Sequence, residues 1–564
     1  MLSFESMNTL YYGDNLSILR EHVGDASVDL IYLDPPFNSK ATYNLLFRSP
    51  KGQQSNAQIE AFEDTWHWGE QAEREFTEIV QQSNTDVSEM MQALRRYLGE
   101  NDIMAYLTMM ANRLLELHRV LKVTGSLYLH CDPTASHYLK VVLDGVFGKE
   151  HFRSEIIWKR THAHGSSRRF APVHDVIFFY SKSDEFVWAN PRADHDPEYV
   201  AKHFTYLDTD SDRLFQPITL TGSGVRHGES GKPWKGVDPT KVGRHWALPG
   251  AIIEGLGLDI SGETVQEKLD ALDDAGLIYW PKKEDGTPRL KWYADQLQGT
   301  ALPDIWTDID PISARAAERL GYPTQKPMAL LERIIGASSN ESDIVLDPFC
   351  GCGTAIHAAQ KLKRNWIGID ITHLAISLVE KRLRDAFPGI TFEIHGTPKD
   401  LESARDLALR DKYQFQWWAC SLVNAQPYQG KKKGADSGID GVIFFQDDNT
   451  LPKKIIVSVK GGENVSVAMI RDLGHVIDRE KASVGLFVTL ADPTRPMNEE
   501  GVGAGYYESP TGASFPKLQI LTIKGLLDGT EQPLYPDLMR GGLMFKKAKR
   551  EVAETQDALF EKKG

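Results

Sequence analysis

"DIVLDPFCGCGTAIHAAQKLKRNWIGIDI" (343–371) is the stretch that decides the fold. An apolar run ends on Asp347, a turn carries Gly351 and Gly353, a helix opens near Thr354, and a second apolar run ends on Asp370. Strand, tight turn, helix and strand make one parallel crossover unit, and open α/β sheets bind ligands at the carboxyl ends of such strands. Glycine lets the backbone turn sharply and approach a ligand closely, while the first turn of the helix offers unpaired amides. A carboxylate about 20 residues beyond the first strand end is placed to accept hydrogen bonds from both ribose hydroxyls.

The turn lacks the third glycine of the dinucleotide fingerprint and the Gly-Lys-Ser/Thr of a P-loop, so nothing in it cradles a pyrophosphate. A cofactor with a ribose and no phosphate fits, and S-adenosylmethionine is the one expected.

Working outward, the rest of the chain alternates in the same way. Residues 7–33 read as strand, turn, helix, strand. Ile103, Leu107, Met110, Leu114, Leu117 and Leu121 recur at the spacing of a core-facing helix, followed by strand candidates at "SLYLHCD" and "HDVIFFYSKS". Residues from about 190 to 300 differ, being rich in Asp, Gly, Pro, Tyr and Trp with no sustained period. They form either an inserted recognition region or an irregular decoration. Around 395–412 the sequence is charged, and reads as a linker or connecting helix.

Composition sets the limits. At 564 residues, more than one domain is expected. Hydrophobic residues at 41% and charged residues at 25% are ordinary for a soluble globular protein, and no apolar run has the length of a membrane span. The four cysteines show no paired zinc spacing, which argues for a reducing cytoplasm and against a disulfide framework. The net charge of −14 argues weakly against a nucleic-acid partner, because phosphate contacts need only a local basic stripe. Basic runs at 158–170, 431–434 and 545–550 could supply one or be solvated faces.

A second stretch, "VDLIYLDPPF" (28–37), ends a strand on Asp34, Pro35, Pro36 and Phe37. An exocyclic base amine is a poor nucleophile, since its lone pair is delocalised into the ring. Two acceptors holding its N–H groups turn that lone pair outward. Asp34 supplies one acceptor and the Pro35 carbonyl the other, with Pro36 fixing the backbone and bringing no competing N–H. Phe37 offers a face on which an extruded base stacks. Methyl transfer then needs positioning and electrostatics rather than a covalent nucleophile. A plain Pro-Pro turn with Asp34 as a cap is the structural alternative.

The order "GDNL" (13–16), "LDPPF" (33–37), "TGSLYLHCDPTASHYLK" (124–140), "LPDIWTDI" (302–309), "YPTQKP" (322–327) and "LDPFCGCGT" (346–354) resembles the DNA amino-methyltransferases of the β arrangement. The resemblance covers roughly residues 7–385. It implies a Rossmann-like α/β sheet with reordered strands, S-adenosylmethionine as donor, double-stranded DNA as partner, and target recognition by the segment between the motifs. Catalytic positions are then Asp34, Pro35, Pro36 and Phe37. Cofactor positions are Asp347, Phe349, Gly351, Gly353, Thr354 and Asp370, with Asp14, Thr324 and Lys326 as further candidates. Family members acting on cytosine N4 often carry Ser in place of Asp34, so adenine N6 is expected and cytosine N4 is the alternative. Dimers are common in that family, so a homodimer is one expectation and oligomeric state stays open.

The C-terminal unit resembles the Mrr-like branch of the PD-(D/E)XK restriction endonucleases over about 411–530. In that resemblance Asp440 holds Mg²⁺, and Ser458 and Lys460 in "IIVSVK" occupy the second-ligand and water-activating positions. Ser458 stands where the family has Glu or Gln, and Gln416 where an acid is often found; Glu463 is a conceivable substitute. Cleavage, or a defence nuclease whose methyltransferase half senses modification, is thus an alternative of another class. The expected organisation is a methyltransferase domain at 1–395 with a recognition insert at about 190–300, a linker at 396–411, an α+β restriction-endonuclease-like domain at 412–540, and a charged tail at 541–564.

Overall fold

The computed structural model describes residues 8–536 and Glu551, other than 37–41, 49–53, 64–66, 83, 164–169, 194, 256–263, 282–285, 298, 314–315, 317, 321, 323, 429–437, 446, 448–452 and 511. Phe37, the basic runs at 431–434 and 545–550, part of the run at 158–170, and all of the 541–564 tail but Glu551 lie outside the described residues.

Nine strands form the principal sheet: β1 (Thr9–Tyr12), β2 (Val28–Leu33), β3 (Leu121–Cys131), β4 (Phe152–Lys159), β5 (His174–Ser181), β6 (Ile305–Trp306), β7 (Ile344–Asp347), β8 (Asn365–Asp370) and β9 (Glu393–His395). Their order is β6-β4-β5-β3-β2-β7-β8-β1-β9. β5 runs antiparallel to both its neighbours, and the remaining pairs are parallel. β2 and β7 lie far apart in sequence yet pair directly, Val345 with Leu30 and Leu346 with Ile31. This is the Rossmann-like α/β sheet with reordered strands. Every residue of β2 is buried, as a central strand covered on both faces requires. Its one charge, Asp29, accepts from Lys122 Nζ at 2.8 Å and from Ile344 N at 2.9 Å, which satisfies the buried carboxylate.

Helices cover both faces. On one, α2 (Asp102–Val120) buries Leu107, Met110, Leu114 and Leu117 against Ile31, Leu33, Leu127 and Leu129. Asn101 caps it, accepting from Met104 N at 3.0 Å, and His118 and Arg119 sit at its negative end. The chain turns directly into β3 at Leu121, so Leu121 belongs to the sheet rather than the helix. On the opposite face α3 (Met328–Ser338), α4 (Thr354–Lys361) and α5 (His373–Ala386) pack Leu330, Ile334, Ile356, Val379 and Leu383 against Leu30, Val345 and Trp366. Truncating any of these buried leucines to alanine costs about 2–5 kcal/mol.

Residues 190–303 form a compact unit of their own. Strands 278–279, 289–293, 213–219 and 206–208 pair antiparallel in that order. Their core holds Phe215, Trp234, Trp246, Leu269, Leu272 and Leu290. Short antiparallel strands whose core comes from scattered aromatics leave no long apolar period, which is why the sequence there looks irregular.

The C-terminal sheet comprises β10 (Gln426–Pro427), β11 (Gly441–Phe445), β12 (Lys453–Lys460), β13 (Val484–Thr489) and β14 (Leu518–Thr522), in that order. The segment 396–411, read as a linker or connecting helix, contains α6 (Leu401–Arg410), capped by Asp400. Ala404 and Leu407 of α6 are buried with Val457 and Leu486, so the segment is an integral part of this core. The following helix, α7 (Lys412–Leu422), buries Phe415, Trp418 and Ala419 in the same cluster. Among the described residues no helix is long and apolar enough to cross a membrane.

Candidate active site

The carboxyl ends of β1, β2, β7 and β8 open into one cavity of about 300 Å³. Gly13, Asp34, Asp347 and Asp370 follow or end these strands, and all four line it. The parallel register thereby gathers the "GDNL", "LDPP" and "LDPFCGCGT" stretches at one sheet edge.

Asp370 is held from three sides. Thr372 N and Thr372 Oγ1 each donate to its Oδ1 at 2.8 Å, and Gly351 N donates to its Oδ2 at 2.9 Å. Burial raises this carboxyl to about 6, with the three donors pulling the other way. Asp347 is 3% exposed and accepts from Phe349 N at 3.1 Å. Burial, together with the nearby Asp34 and Asp370 charges, pushes it well above the usual carboxylate range. Two carboxyls made uncomfortable by desolvation are ready to accept hydrogen bonds from a polar ligand.

Both glycines of the turn are required. Gly351 has φ +48°, and a Cβ there would lie 3.3 Å from the Tyr322 ring. Gly353 has φ +71°, and its Cβ would come within 2.7 Å of Val379 Cγ2. Gly353 is also the N-cap of α4, so the turn leads straight into unpaired helix amides. Phe349 and Thr354 line the cavity, but Arg382 Nη1 already donates to Thr354 Oγ1 at 3.2 Å.

Asp14 caps α1 (Asn15–His22), accepting from Ser17 N at 3.1 Å. Its other oxygen accepts from Arg113 Nη2 at 2.7 Å. Arg113 Nε also donates to Asn15 Oδ1 at 2.6 Å, and Asn15 Nδ2 donates to the Pro348 carbonyl at 2.8 Å. Asn15 of the "GDNL" stretch and Arg113, which the sequence did not single out, thus tie α1 and α2 to the turn after β7.

Asp34, Pro35 and Pro36 line the same cavity. Lys326 Nζ donates to Asp34 Oδ2. Asp34 Oδ1 is buried and has no hydrogen-bond partner among the described residues. Lys326 and Thr324 also line the cavity, so the structure places residues 324–326 against the "DPP" segment.

The C-terminal cluster differs in kind. Asp440 Oδ1 accepts from Gln416 Nε2 at 3.0 Å, and Oδ2 from Val459 N at 2.7 Å, with Ser458 Oγ at 3.5 Å. Lys460 follows on the same face of β12. A Mg²⁺ centre needs several oxygen ligands, and carboxylates above all. Here both oxygens of Asp440 face N–H donors, the neighbouring positions are an amide and a hydroxyl, and no cluster of three acidic, His or Cys side chains able to hold a metal occurs among the described residues. The residues present do not fit that ion. Glu463 is exposed and pairs with Arg405 at 3.6 Å.

Residues 28–381 match the family described as DNA methylase, and residues 409–505 match that described as restriction endonuclease. The chain is 36% identical over 279 residues to the type II methyltransferase M.EcaI of Enterobacter cloacae, covering 49% of this chain and 57% of that protein. It is 26% identical to the type III restriction-modification enzyme StyLTI Mod subunit of Salmonella typhimurium, covering 63% and 50%. The chain therefore spans about half the length of these relatives. Among solved structures, the cytosine-N4-specific PvuII DNA methyltransferase aligns at 13% identity and TM-score 0.29, covering 68% of this chain and 89% of that one. The M1.HpyAVI–SAM complex aligns at 15% and 0.29, covering 66% and 98%. At those TM-scores the likeness fixes neither target base nor cofactor.

Proposed function

The chain belongs to the N6/N4 DNA methylase family and carries a C-terminal restriction endonuclease domain, and on that premise we propose that it methylates adenine N6 in double-stranded DNA with S-adenosylmethionine as donor. The observation that carries this reading is Asp34 Oδ1, a buried acceptor without a partner among the described residues, in the same cavity as Asp347 and Asp370.

The cofactor fits the residues present: Asp370 would take a ribose hydroxyl on the acceptor site that its three donors leave, and Gly351 and Asp370 line the same cavity. When bound, it supplies an electrophilic methyl group. Asp34 Oδ1 accepts one N–H of the target amine and the Pro35 carbonyl accepts the other, which turns the nitrogen lone pair away from the ring. A hydrogen bond to a charged group is worth about 1.5–3 kcal/mol, enough to move a rate by one to two orders of magnitude if made only in the transition state. Asp34 Oδ1 is also placed to take the proton that the methylated amine releases.

Asp at position 34 rather than Ser favours adenine over cytosine, the alternative being cytosine N4. The 190–303 unit is proposed to read the target sequence. For the C-terminal domain we propose no cleavage chemistry, because the Asp440 cluster does not fit a metal. Incubation with labelled S-adenosylmethionine and DNA, followed by nucleoside analysis, tests the reading: label in N6-methyladenine supports it, and label in N4-methylcytosine replaces it with the alternative.

A further inference from the structure

We propose that Lys326 is a positioning residue for Asp34: its ammonium occupies one carboxylate oxygen so that the other is fixed as the acceptor for the target amine. The inference rests on the methyl-transfer reading above and adds a role to a residue that the sequence assigned to the cofactor.

The geometry is built for this. Lys326 is 8% exposed, and its Nζ donates to Asp34 Oδ2 across 292 residues of sequence and to the Thr324 carbonyl at 3.4 Å. The backbone that carries it is fixed on both sides. Gln325 Nε2 donates to the Glu318 carbonyl at 2.7 Å, while Gln325 Oε1 accepts from Leu320 N at 2.8 Å. Pro327, with φ −62°, caps the start of α3. Thr324 takes φ +61°, a left-handed conformation rare for a β-branched residue, and its carbonyl faces the ammonium. Strain of that sort is retained where surrounding structure demands it, and it clusters at functional sites.

A lone carboxylate at a cavity wall rotates about its Cβ–Cγ bond and offers either oxygen. With Oδ2 held by a cation carried on a fixed backbone, only Oδ1 remains, and it is the oxygen left buried and without a partner among the described residues. A buried ion pair is weak evidence for stability, since apolar replacements are often neutral or stabilising. Its place beside the open acceptor therefore argues for orientation of Asp34.

The test is steady-state methylation of DNA by the full-length protein and by the K326M, K326A and K326R variants, with S-adenosylmethionine affinity measured separately by calorimetry. Expected for K326M is a fall in kcat of about 100-fold, with cofactor Kd within about threefold of the parent. K326R should recover at least a tenth of the lost rate, and a small alkylammonium ion should restore K326A saturably. Cofactor Kd rising tenfold or more with kcat at saturation unchanged would overturn the proposal and return Lys326 to the cofactor. Unchanged kcat and Kd would overturn it too. If the parent protein transfers no methyl group to any DNA, the functional reading itself fails, an outcome distinct from a K326M variant as fast as an active parent.

Discussion

Gly351 donates its backbone N–H to Asp370 Oδ2 at 2.9 Å, joining the turn after β7 to the end of β8. The contact fixes the turn and orients the carboxylate; with Asp370 proposed to take a ribose hydroxyl, its state and cofactor binding are linked. Burial raises this carboxyl to about 6, and only its ionised form accepts on all its lone pairs. Cofactor affinity should therefore be level above that pH and fall toward about tenfold per unit below it, by calorimetry across pH 4.5 to 8. Asp370→Asn should weaken binding and flatten the slope. Without ligand the sign is opposite. The folded state holds the proton more tightly than the unfolded one, so this group's contribution to stability is full below 3.8 and is lost as pH rises through about 6.

Gly353→Ala should be among the most damaging single changes in the turn. The residue sits at φ +71°, and the added methyl meets Val379 at 2.7 Å. A loss of about 1–3 kcal/mol in unfolding free energy is expected, with cofactor binding weakened. Pairing it with Val379→Ala should relieve the contact and leave the backbone strain, so denaturant unfolding should show partial recovery only.

Arg382 lies behind the same turn, 4% exposed, with no carboxylate within 4 Å among the described residues. It donates to the Cys352 carbonyl at 2.9 Å and to His357 Nδ1 at 3.0 Å. Arg382→Met should loosen the turn and reduce cofactor affinity by about tenfold, within the range for losing one hydrogen bond to a charged group. Methylation at saturating cofactor should be largely kept. Calorimetry and steady-state rates together check both halves.

Asp440 gives a prediction about the second domain. With its oxygens engaged by Gln416 and Val459, a Mn²⁺ titration followed by electron paramagnetic resonance should reveal no site that disappears in Asp440→Asn. Unmodified DNA incubated with Mg²⁺ should stay intact over times in which methylation is complete.

Much of this was legible because it is local. Strand ends at Asp347 and Asp370, the glycine turn between them and the Asp34-Pro35-Pro36 stop follow from rules acting over a few residues. The partner of Lys326 was not, since a long side chain reaching across 292 residues of sequence leaves no periodic trace. Arg113 and Arg382 were hidden for the same reason, each being one charge on an otherwise apolar helix face. The 396–411 segment is helical, as its connecting-helix reading had it, but its place in the core was hidden by composition: α6 is charged on its solvent side, yet Ala404 and Leu407 suffice to seat it in the core.

The most direct test is transfer of labelled methyl groups to DNA by the parent protein and by Asp34→Ala, read by nucleoside chromatography and paired with cofactor calorimetry. The expected result is label in N6-methyladenine for the parent, a loss of at least about 100-fold in Asp34→Ala, and cofactor affinity nearly unchanged. Label persisting at the parent rate in Asp34→Ala, or no label in any base from a parent that binds cofactor, would contradict the account.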